Sequence, residues 1–173
     1  MKKLAFIILF LLIACEENQS TQSIKDPNVY SIGFGSCLTQ ERSMPIFNTI
    51  KDENYDLFLM IGDNVYGDSE REDLLELREA YDKQRQNFDN LNLNFPFEAI
   101  WDDHDYGLND AGKEYAYKED AKELFLDFWN IPMDDVRRSR DGLYFEWIQT
   151  IDGITVQMLF LDTRFFRDAL LPT

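Results

Sequence analysis

Runs of hydrophobic residues between positions 29 and 168 divide the chain into three strand-and-helix units followed by a pair of strands. In the segment VYSIGFGSC, large and small residues alternate, which is typical of a strand that ends in a polar loop. The segments YDLFLMIGDN and FEAIW are continuous apolar runs, as found in strands that are buried on both faces. Helical spacing of apolar residues predicts helices after these strands, at about 43–53, 69–88 and 121–131.

Two further strands, GLYFEWIQT and ITVQMLFLDTR, flank Asp152-Gly153, a strong signal for a two-residue hairpin turn. This order of elements predicts an α/β domain with a mixed sheet. In such folds, functional groups gather in the loops at the carboxyl ends of the strands. Cys37, Asp63 and the acidic cluster at 102–105 each follow a predicted strand closely, so we expect them to meet at one edge of the sheet.

The single histidine of the chain lies in the stretch FEAIWDDHDYGLNDAG, where His104 stands between Asp103 and Asp105. Carboxylates this close repel one another, so the cluster needs either full solvation or a cation. Carboxylates suit hard cations, whereas the imidazole, the Cys37 thiolate and the Tyr66 phenolate point to a transition metal. The mixed donor set favours a site with more than one metal. The alternative is a solvated acidic turn, with the cysteine as a small core residue.

The N-terminus has the features of a secretory signal: two lysines, then the eleven apolar residues LAFIILFLLIA, too few to span a bilayer. The sequence LIAC, ending at Cys15, resembles a bacterial lipobox, in which the cysteine becomes acylated. We expect a lipoprotein signal peptide at 1–14, a lipidated Cys15 and tether at 15–28, and a folded domain at 29–173. The protein would then be lipid-anchored in the bacterial cell envelope, on the periplasmic or outer-membrane face. The alternative is an ordinary signal peptide in which Cys15 has no role.

Acidic residues dominate the chain, with 33 Asp and Glu against 17 Lys and Arg and a formal net charge of −16. A charge of this sign repels nucleic-acid phosphates, so we expect no nucleic-acid binding through a basic patch. Cleavage before Cys15 would leave Cys37 as the one cysteine of the domain, which allows no intramolecular disulfide there.

Four blocks of the sequence resemble the PhoD-like alkaline phosphatases, a family of metallophosphoesterases: FGSC, IGDNVYGD, IWDDHDYGLNDAG and FLDTRFFR. The resemblance implies a mixed-sheet sandwich of the αββα type. It also implies hydrolysis of phosphoric esters by a metal-activated water.

Carried over residue by residue, the resemblance implies that Cys37 and Tyr66 ligate a ferric ion and that Asp63 bridges two metals. Asp103 would hold the second metal, which in this family is often Ca²⁺. His104 would contact the phosphoryl oxygens or protonate the leaving group.

Small phosphate esters are the substrates that the resemblance implies. Arg164 and Asn64 are then the expected phosphate-binding residues. A plain surface arginine is the alternative for Arg164.

The sequence also departs from the family, whose catalytic regions are longer and include a later block with an Asp and a His. We therefore expect a truncated form, or a chain that completes its site with a missing C-terminal half or a partner chain. The hairpin strands at 143–161 would leave apolar surface uncovered. The main alternative function is a catalytically inactive acidic lipoprotein that binds metal or a partner.

Overall fold

The structure, a computed structural model, describes residues 29–171. The predicted signal peptide, the lipidation site Cys15 and the tether lie outside the described residues. No helix among the residues that the structure describes is long and apolar enough to cross a membrane. The elements in chain order are β1 (Ile32–Gly35), α1 (Ile46–Ile50), a 3₁₀ turn (Lys51–Glu53), β2 (Leu57–Ile61), α2 (Leu75–Leu91), β3 (Phe97–Ile100), α3 (Asp103–Tyr106), α4 (Lys118–Phe128), α5 (Val136–Ser139), β4 (Phe145–Ile151) and β5 (Ile154–Phe160).

Three parallel strands form the first sheet, in the order β1-β2-β3. The register pairs Phe34 with Leu59 and Met60 with Ala99, so the three strands end near one another. A helix connects each strand to its neighbour, as parallel pairing requires. The strand-and-helix units predicted from the hydrophobic pattern are confirmed.

The central strand of this sheet is anchored in the hydrophobic core. Phe58 and Met60 are 3% and 1% exposed. Burying a side chain of this size stabilises the fold by roughly 1.5–3 kcal/mol, so the core fixes the strands that carry the site loops. The same apolar cluster includes residues of α2 and α4, namely Leu77, Ala80, Tyr81, Ala121, Phe125, Leu126 and Phe128.

Helix α2 begins later than the sequence predicts. Ser69 and Glu72 have the spacing of a capping box, but the helix does not start there: Ser69 lies in the turn before α2, and its Oγ donates to Oε2 of Glu76 in the first helical turn at 2.6 Å. This turn is held close to the helix, since a Cβ on Gly67 would lie 2.7 Å from the Leu77 Cα. Tertiary packing of the turn therefore overrides the local capping signal.

Strands β4 and β5 form an antiparallel hairpin that is a second sheet. Its turn is at Asp152 and Gly153, with φ of 49° and 82°, as the Asp-Gly signal predicts. Arg137 ties the hairpin to the first sheet, because its guanidinium lies over the Phe145 ring and 3.6 Å from a carboxylate oxygen of Glu98. The predicted α/β class is confirmed, and in place of one mixed sheet the described strands form a parallel sheet and a separate antiparallel one.

The hairpin also exposes apolar surface. Leu159 and Leu161 are 66% and 70% exposed. With Tyr144 and Phe166 they line a groove of about 720 Å³. Exposed apolar surface of this kind is typical of interaction sites.

Candidate metal centre

The loops that follow β1 and β2 meet at the carboxyl edge of the parallel sheet. The Cys37 N–H donates to the Gly62 carbonyl oxygen at 3.1 Å, and the Leu38 N–H donates to the Asp63 carbonyl oxygen at 2.8 Å. These bonds extend the contact between the two chain segments beyond the strands. As a result, Cys37 Sγ lies 3.7 Å from Asp63 Oδ2.

The backbone adopts left-handed conformations where these loops meet. Cys37 and Asp63 have φ of 58° and 50°, and Gly62 has φ of 111°. A Cβ on Gly62 would lie 2.7 Å from the Asp102 Cβ, so glycine allows the loop after β2 to approach the loop after β3. Non-glycine residues at positive φ are uncommon, and such strain is concentrated at functional sites.

Asp63, Asp103 and His104 form a group whose potential ligand atoms all lie within 4.8 Å of one another. Asp63 Oδ2 meets the Cys37 thiol and the Tyr66 hydroxyl. Asp63 Oδ1 is buried and has no hydrogen-bond partner among residues 29–171. Leaving a buried acceptor unsatisfied costs about 1–3 kcal/mol. A metal ion at this group would satisfy that oxygen.

The electrostatics of the group also favour a cation. Burial and the Asp103 carboxylate raise the pKa of Asp63 above its ordinary value, against the opposing effect of His104. For Asp103, burial raises the pKa, but the Asp110 N–H and the charge of Arg164 bring it below its ordinary value. The Asp103 carboxylate thus disfavours the charge of Asp63, and a bound cation would offset this repulsion.

Tyr66 places a phenol on the Oδ2 side of Asp63. Its hydroxyl donates to Asp63 Oδ2 at 3.2 Å. Burial, followed by the charge of Asp63, raises the pKa of Tyr66 above its ordinary value. The phenol therefore stays protonated at neutral pH unless a metal displaces the proton. Cys37 itself is exposed, so it is not the core thiol that the sequence left as an alternative.

His104 is oriented by Asp68, a residue to which sequence reasoning gave no role. The His104 Nδ1 lies 2.9 Å from both carboxylate oxygens of Asp68, and its ring centroid is 4.3 Å from that of Tyr66. With Nδ1 donating to Asp68, Nε2 is the nitrogen that can meet a metal or a substrate oxygen. Asp68 closes the block IGDNVYGD, but its contact with a residue 36 positions away is not visible in the sequence.

Arg164 reaches the acidic loop from the segment after β5. Its Nε donates to Asp102 Oδ1 at 2.5 Å, and its Nη2 lies 3.6 Å from Asp103 Oδ2. The turn that carries it is fixed by Asp162, whose Oδ1 accepts the N–H groups of Arg164 and Phe165. The structure thus places this arginine beside the candidate metal ligands, paired with carboxylates.

Asn64 and Asp105 are fully buried. The Asn64 Nδ2 donates to the Ile100 carbonyl oxygen at 3.0 Å and to Asp105 Oδ2 at 2.5 Å. This burial leaves Asn64 no exposed surface for the phosphate contact expected from the sequence, so its side chain has a structural role here. Burial raises the pKa of Asp105 to about 8, while the N–H groups of Asn64 and Asp102 act in the opposite direction.

Comparison with known proteins connects this geometry to a known fold. No protein-family model matches the sequence, and no curated protein matches it. Among solved structures, the chain is similar to one described as “Structure of PhoD”, with a TM-score of 0.61 and 18% sequence identity. The match covers 80% of this chain and 32% of that chain. The PhoD-like fold expected from the four sequence blocks is therefore confirmed over a part of the PhoD structure.

Proposed function

We propose that this chain provides the metal-binding edge of a PhoD-type phosphoric ester hydrolase, an alkaline phosphatase or phosphodiesterase that uses a metal-activated water. The observation that carries the proposal is the buried Asp63 Oδ1, which lacks a hydrogen-bond partner within the described residues and belongs to the group with Asp103 and His104. The fold shared with PhoD supports the proposal.

Asp63 is suited to bridge two metal ions. Its Oδ2 already meets Cys37 and Tyr66, while Oδ1 remains for a second ion together with Asp103. Thiolate and phenolate ligands suit a transition metal, and carboxylate oxygens suit a hard cation. By resemblance to the PhoD-like enzymes, we assign Fe³⁺ to the position beside Cys37 and Tyr66 and Ca²⁺ to the position beside Asp103.

Bound metal ions would supply a water of lowered pKa and positive charge near the phosphoryl oxygens. The chain's own residues would handle the substrate. Arg164, whose Nε is held by Asp102, has other guanidinium N–H groups to offer to the phosphate. His104, whose Nδ1–H is held by Asp68, would donate the Nε2 proton of its imidazolium form to the leaving-group oxygen and be left as the neutral Nδ1–H tautomer.

We also propose that the protein acts outside the cytoplasm, anchored through Cys15 in the bacterial cell envelope. The support is the LIAC sequence that follows two lysines and an apolar run. Membrane fractionation tests this proposal: Cys15→Ala should move the protein from the membrane fraction to the soluble fraction. A variant that stays in the membrane fraction would contradict acylation at Cys15.

A second candidate function is a catalytically inactive acidic lipoprotein that binds metal or a partner. The exposed groove beside Leu159 and Leu161 favours this candidate, because apolar surface of this kind is common at interaction sites. Its proposed occupant is a C-terminal half or a separate partner chain.

Turnover of p-nitrophenyl phosphate and bis-p-nitrophenyl phosphate by the purified chain distinguishes the two candidates. Hydrolysis that is lost on chelation and restored by Fe³⁺ and Ca²⁺ would support the hydrolase. A metal-loaded chain that hydrolyses neither ester would support the second candidate. The two esters also separate monoesterase from diesterase activity.

A further inference from the structure

The buried carboxyl group of Asp105 joins the two segments that carry the candidate ligands Asp63 and Asp103. Its Oδ2 accepts the backbone N–H of Asn64 at 3.0 Å and the Asn64 Nδ2–H at 2.5 Å. Its Oδ1 accepts the backbone N–H of Asp102 at 2.6 Å. Asn64 directly follows Asp63, and Asp102 directly precedes Asp103. Each oxygen of Asp105 therefore holds the neighbour of one candidate metal ligand.

Two features oppose the close approach of these segments, and the hydrogen bonds to Asp105 counteract both of them. Asp63 has a positive φ of 50°, a conformation that costs energy for a non-glycine residue and persists only where the surroundings fix it. The Asp63 and Asp103 carboxylates also repel each other. The N–H groups that donate to Asp105 belong to Asn64, next to Asp63, and to Asp102, next to Asp103. Asp105 thus holds both segments that carry these two carboxylates.

Asp105 is also hydrogen-bonded to the hydrophobic core. Its own backbone carbonyl oxygen accepts the hydroxyl of the buried Tyr81 at 3.2 Å, and Tyr81 belongs to the hydrophobic core. Asn64 makes two further hydrogen bonds to buried residues. Its Nδ2 donates to the Ile100 carbonyl oxygen, and its backbone carbonyl oxygen accepts from Gln84 Nε2 at 2.8 Å. The hydrogen-bonded pair of Asp105 and Asn64 is thus fixed relative to the hydrophobic core.

We infer that Asp105 is a positioning residue that sets the separation of Asp63 and Asp103 before any metal binds. This inference rests on the proposed metal site for its functional consequence, but the connection itself consists of hydrogen bonds within the chain. Asp105 is fully buried, so it would act on the metal site through its hydrogen-bonded neighbours and not as a ligand. Removing a residue that orients metal ligands through hydrogen bonds typically lowers metal affinity by about 10–100-fold.

The test compares Asp105→Ala and Asp105→Asn in the full chain, with Asp82→Asn as the control because Asp82 is exposed on α2. In metal-free protein, hydrogen exchange at the Asn64 and Asp102 amides should speed up at least about tenfold in Asp105→Ala. Asp105→Asn should be intermediate, since asparagine keeps one oxygen acceptor. The control should exchange as the wild type does.

Mn²⁺ binding, measured by titration calorimetry, is the second readout. Asp105→Ala should bind Mn²⁺ about 10–100-fold more weakly than the wild type, with partial rescue in Asp105→Asn. Wild-type exchange at both amides, or unchanged Mn²⁺ affinity despite faster exchange, would overturn the inference. If the wild type binds no Mn²⁺, the proposed metal site fails, while the exchange arm still decides whether Asp105 connects the loops.

A milder variant covers the case in which Asp105→Ala does not fold. Asn64→Ala removes one donor to Asp105 Oδ2 and leaves the two backbone donors in place. Its amide exchange at Asp102 should rise, and its Mn²⁺ affinity should fall, by less than in Asp105→Ala. Wild-type values for both quantities in Asn64→Ala would overturn the inference.

Discussion

The Nδ1 of His104 lies 2.9 Å from both carboxylate oxygens of Asp68. A carboxylate in this position fixes the imidazole tautomer and leaves Nε2 for chemistry. Asp68 lies in the loop after β2 and His104 lies in α3, so the contact fixes the ring of the proposed proton donor relative to the loop that carries Asp63.

Replacing Asp68 with asparagine should therefore lower phosphate ester turnover. We expect kcat to fall by about 10–100-fold, because the neutral amide lacks the negative charge that stabilises the imidazolium from which Nε2 donates its proton. Steady-state kinetics with p-nitrophenyl phosphate measures the change. Glu70→Gln is the control, since Glu70 is a nearby exposed carboxylate. A kcat for Asp68→Asn equal to that of the control would contradict the role of Asp68.

Cys37→Ser should remove a sulfur ligand from the proposed ferric position and leave the proposed calcium position intact. Cys37 Sγ lies on the Oδ2 side of Asp63, 3.7 Å from that oxygen. In iron-loaded protein, we expect the visible charge-transfer band to weaken or shift, while bound Ca²⁺ stays unchanged. Absorption spectroscopy and calcium analysis on one sample check both parts. An identical band in Cys37→Ser would exclude the thiolate as an iron ligand.

Gly62→Ala should be more destabilising than alanine at another positive-φ glycine. Gly62 has φ of 111°, and its Cβ would lie 2.7 Å from the Asp102 Cβ. Gly153 is the matched control, with φ of 82° and no atom within 4 Å of an added Cβ. We expect roughly 1–3 kcal/mol from backbone strain in both variants, and a further loss in Gly62→Ala alone.

Urea denaturation of both glycine variants measures these losses. Metal binding gives a second comparison, because only Gly62→Ala should displace the loop that carries Asp63. Equal stabilities for the two variants would show that the close approach to Asp102 is not a constraint.

Glu98→Gln should stabilise the protein at high pH. Burial is the main cause that raises the pKa of Glu98, against the opposing charge of Arg137. A carboxyl whose pKa is raised on folding stabilises the fold below its unfolded pKa, and this contribution is lost as the pH rises through the folded pKa. The advantage of Gln should therefore appear above about pH 4.5 and reach on the order of 1 kcal/mol.

Thermal unfolding between pH 4 and pH 8 tests the Glu98 prediction, with the exposed Glu53 changed to Gln as the control. Arg137 keeps a carboxylate partner in the variant, because its Nη2 also pairs with Asp135 at 2.8 Å. A wild type that is more stable than Glu98→Gln at pH 8 would reverse the sign of the prediction.

Sequence patterns predict the parts of this structure that depend on local signals. The continuous apolar runs identify β2 and β3, and the polar residues directly after them mark the site edge, because parallel strands end together. The Asp152-Gly153 turn is predicted for the same reason: two residues at positive φ need this local chemistry. Asp63, Asp103 and His104 come together as these patterns lead one to expect.

Contacts between distant segments account for what the sequence does not reveal. The late start of α2 depends on the packing of Gly67 against Leu77, which competes with the capping signal at Ser69. The structural role of Asn64 depends on its burial against Asp105, 41 positions away. No local pattern distinguishes a buried asparagine of this kind from one that faces a substrate.

The metal content of Asp63→Ala tests the central claim most directly. Mass spectrometry of the purified, metal-loaded wild type should find near-stoichiometric metal. Asp63→Ala should lose both ions, because one carboxylate serves both positions, while the exposed-site control Asp82→Ala should keep them. Unchanged metal content in a folded Asp63→Ala would contradict a site built around Asp63.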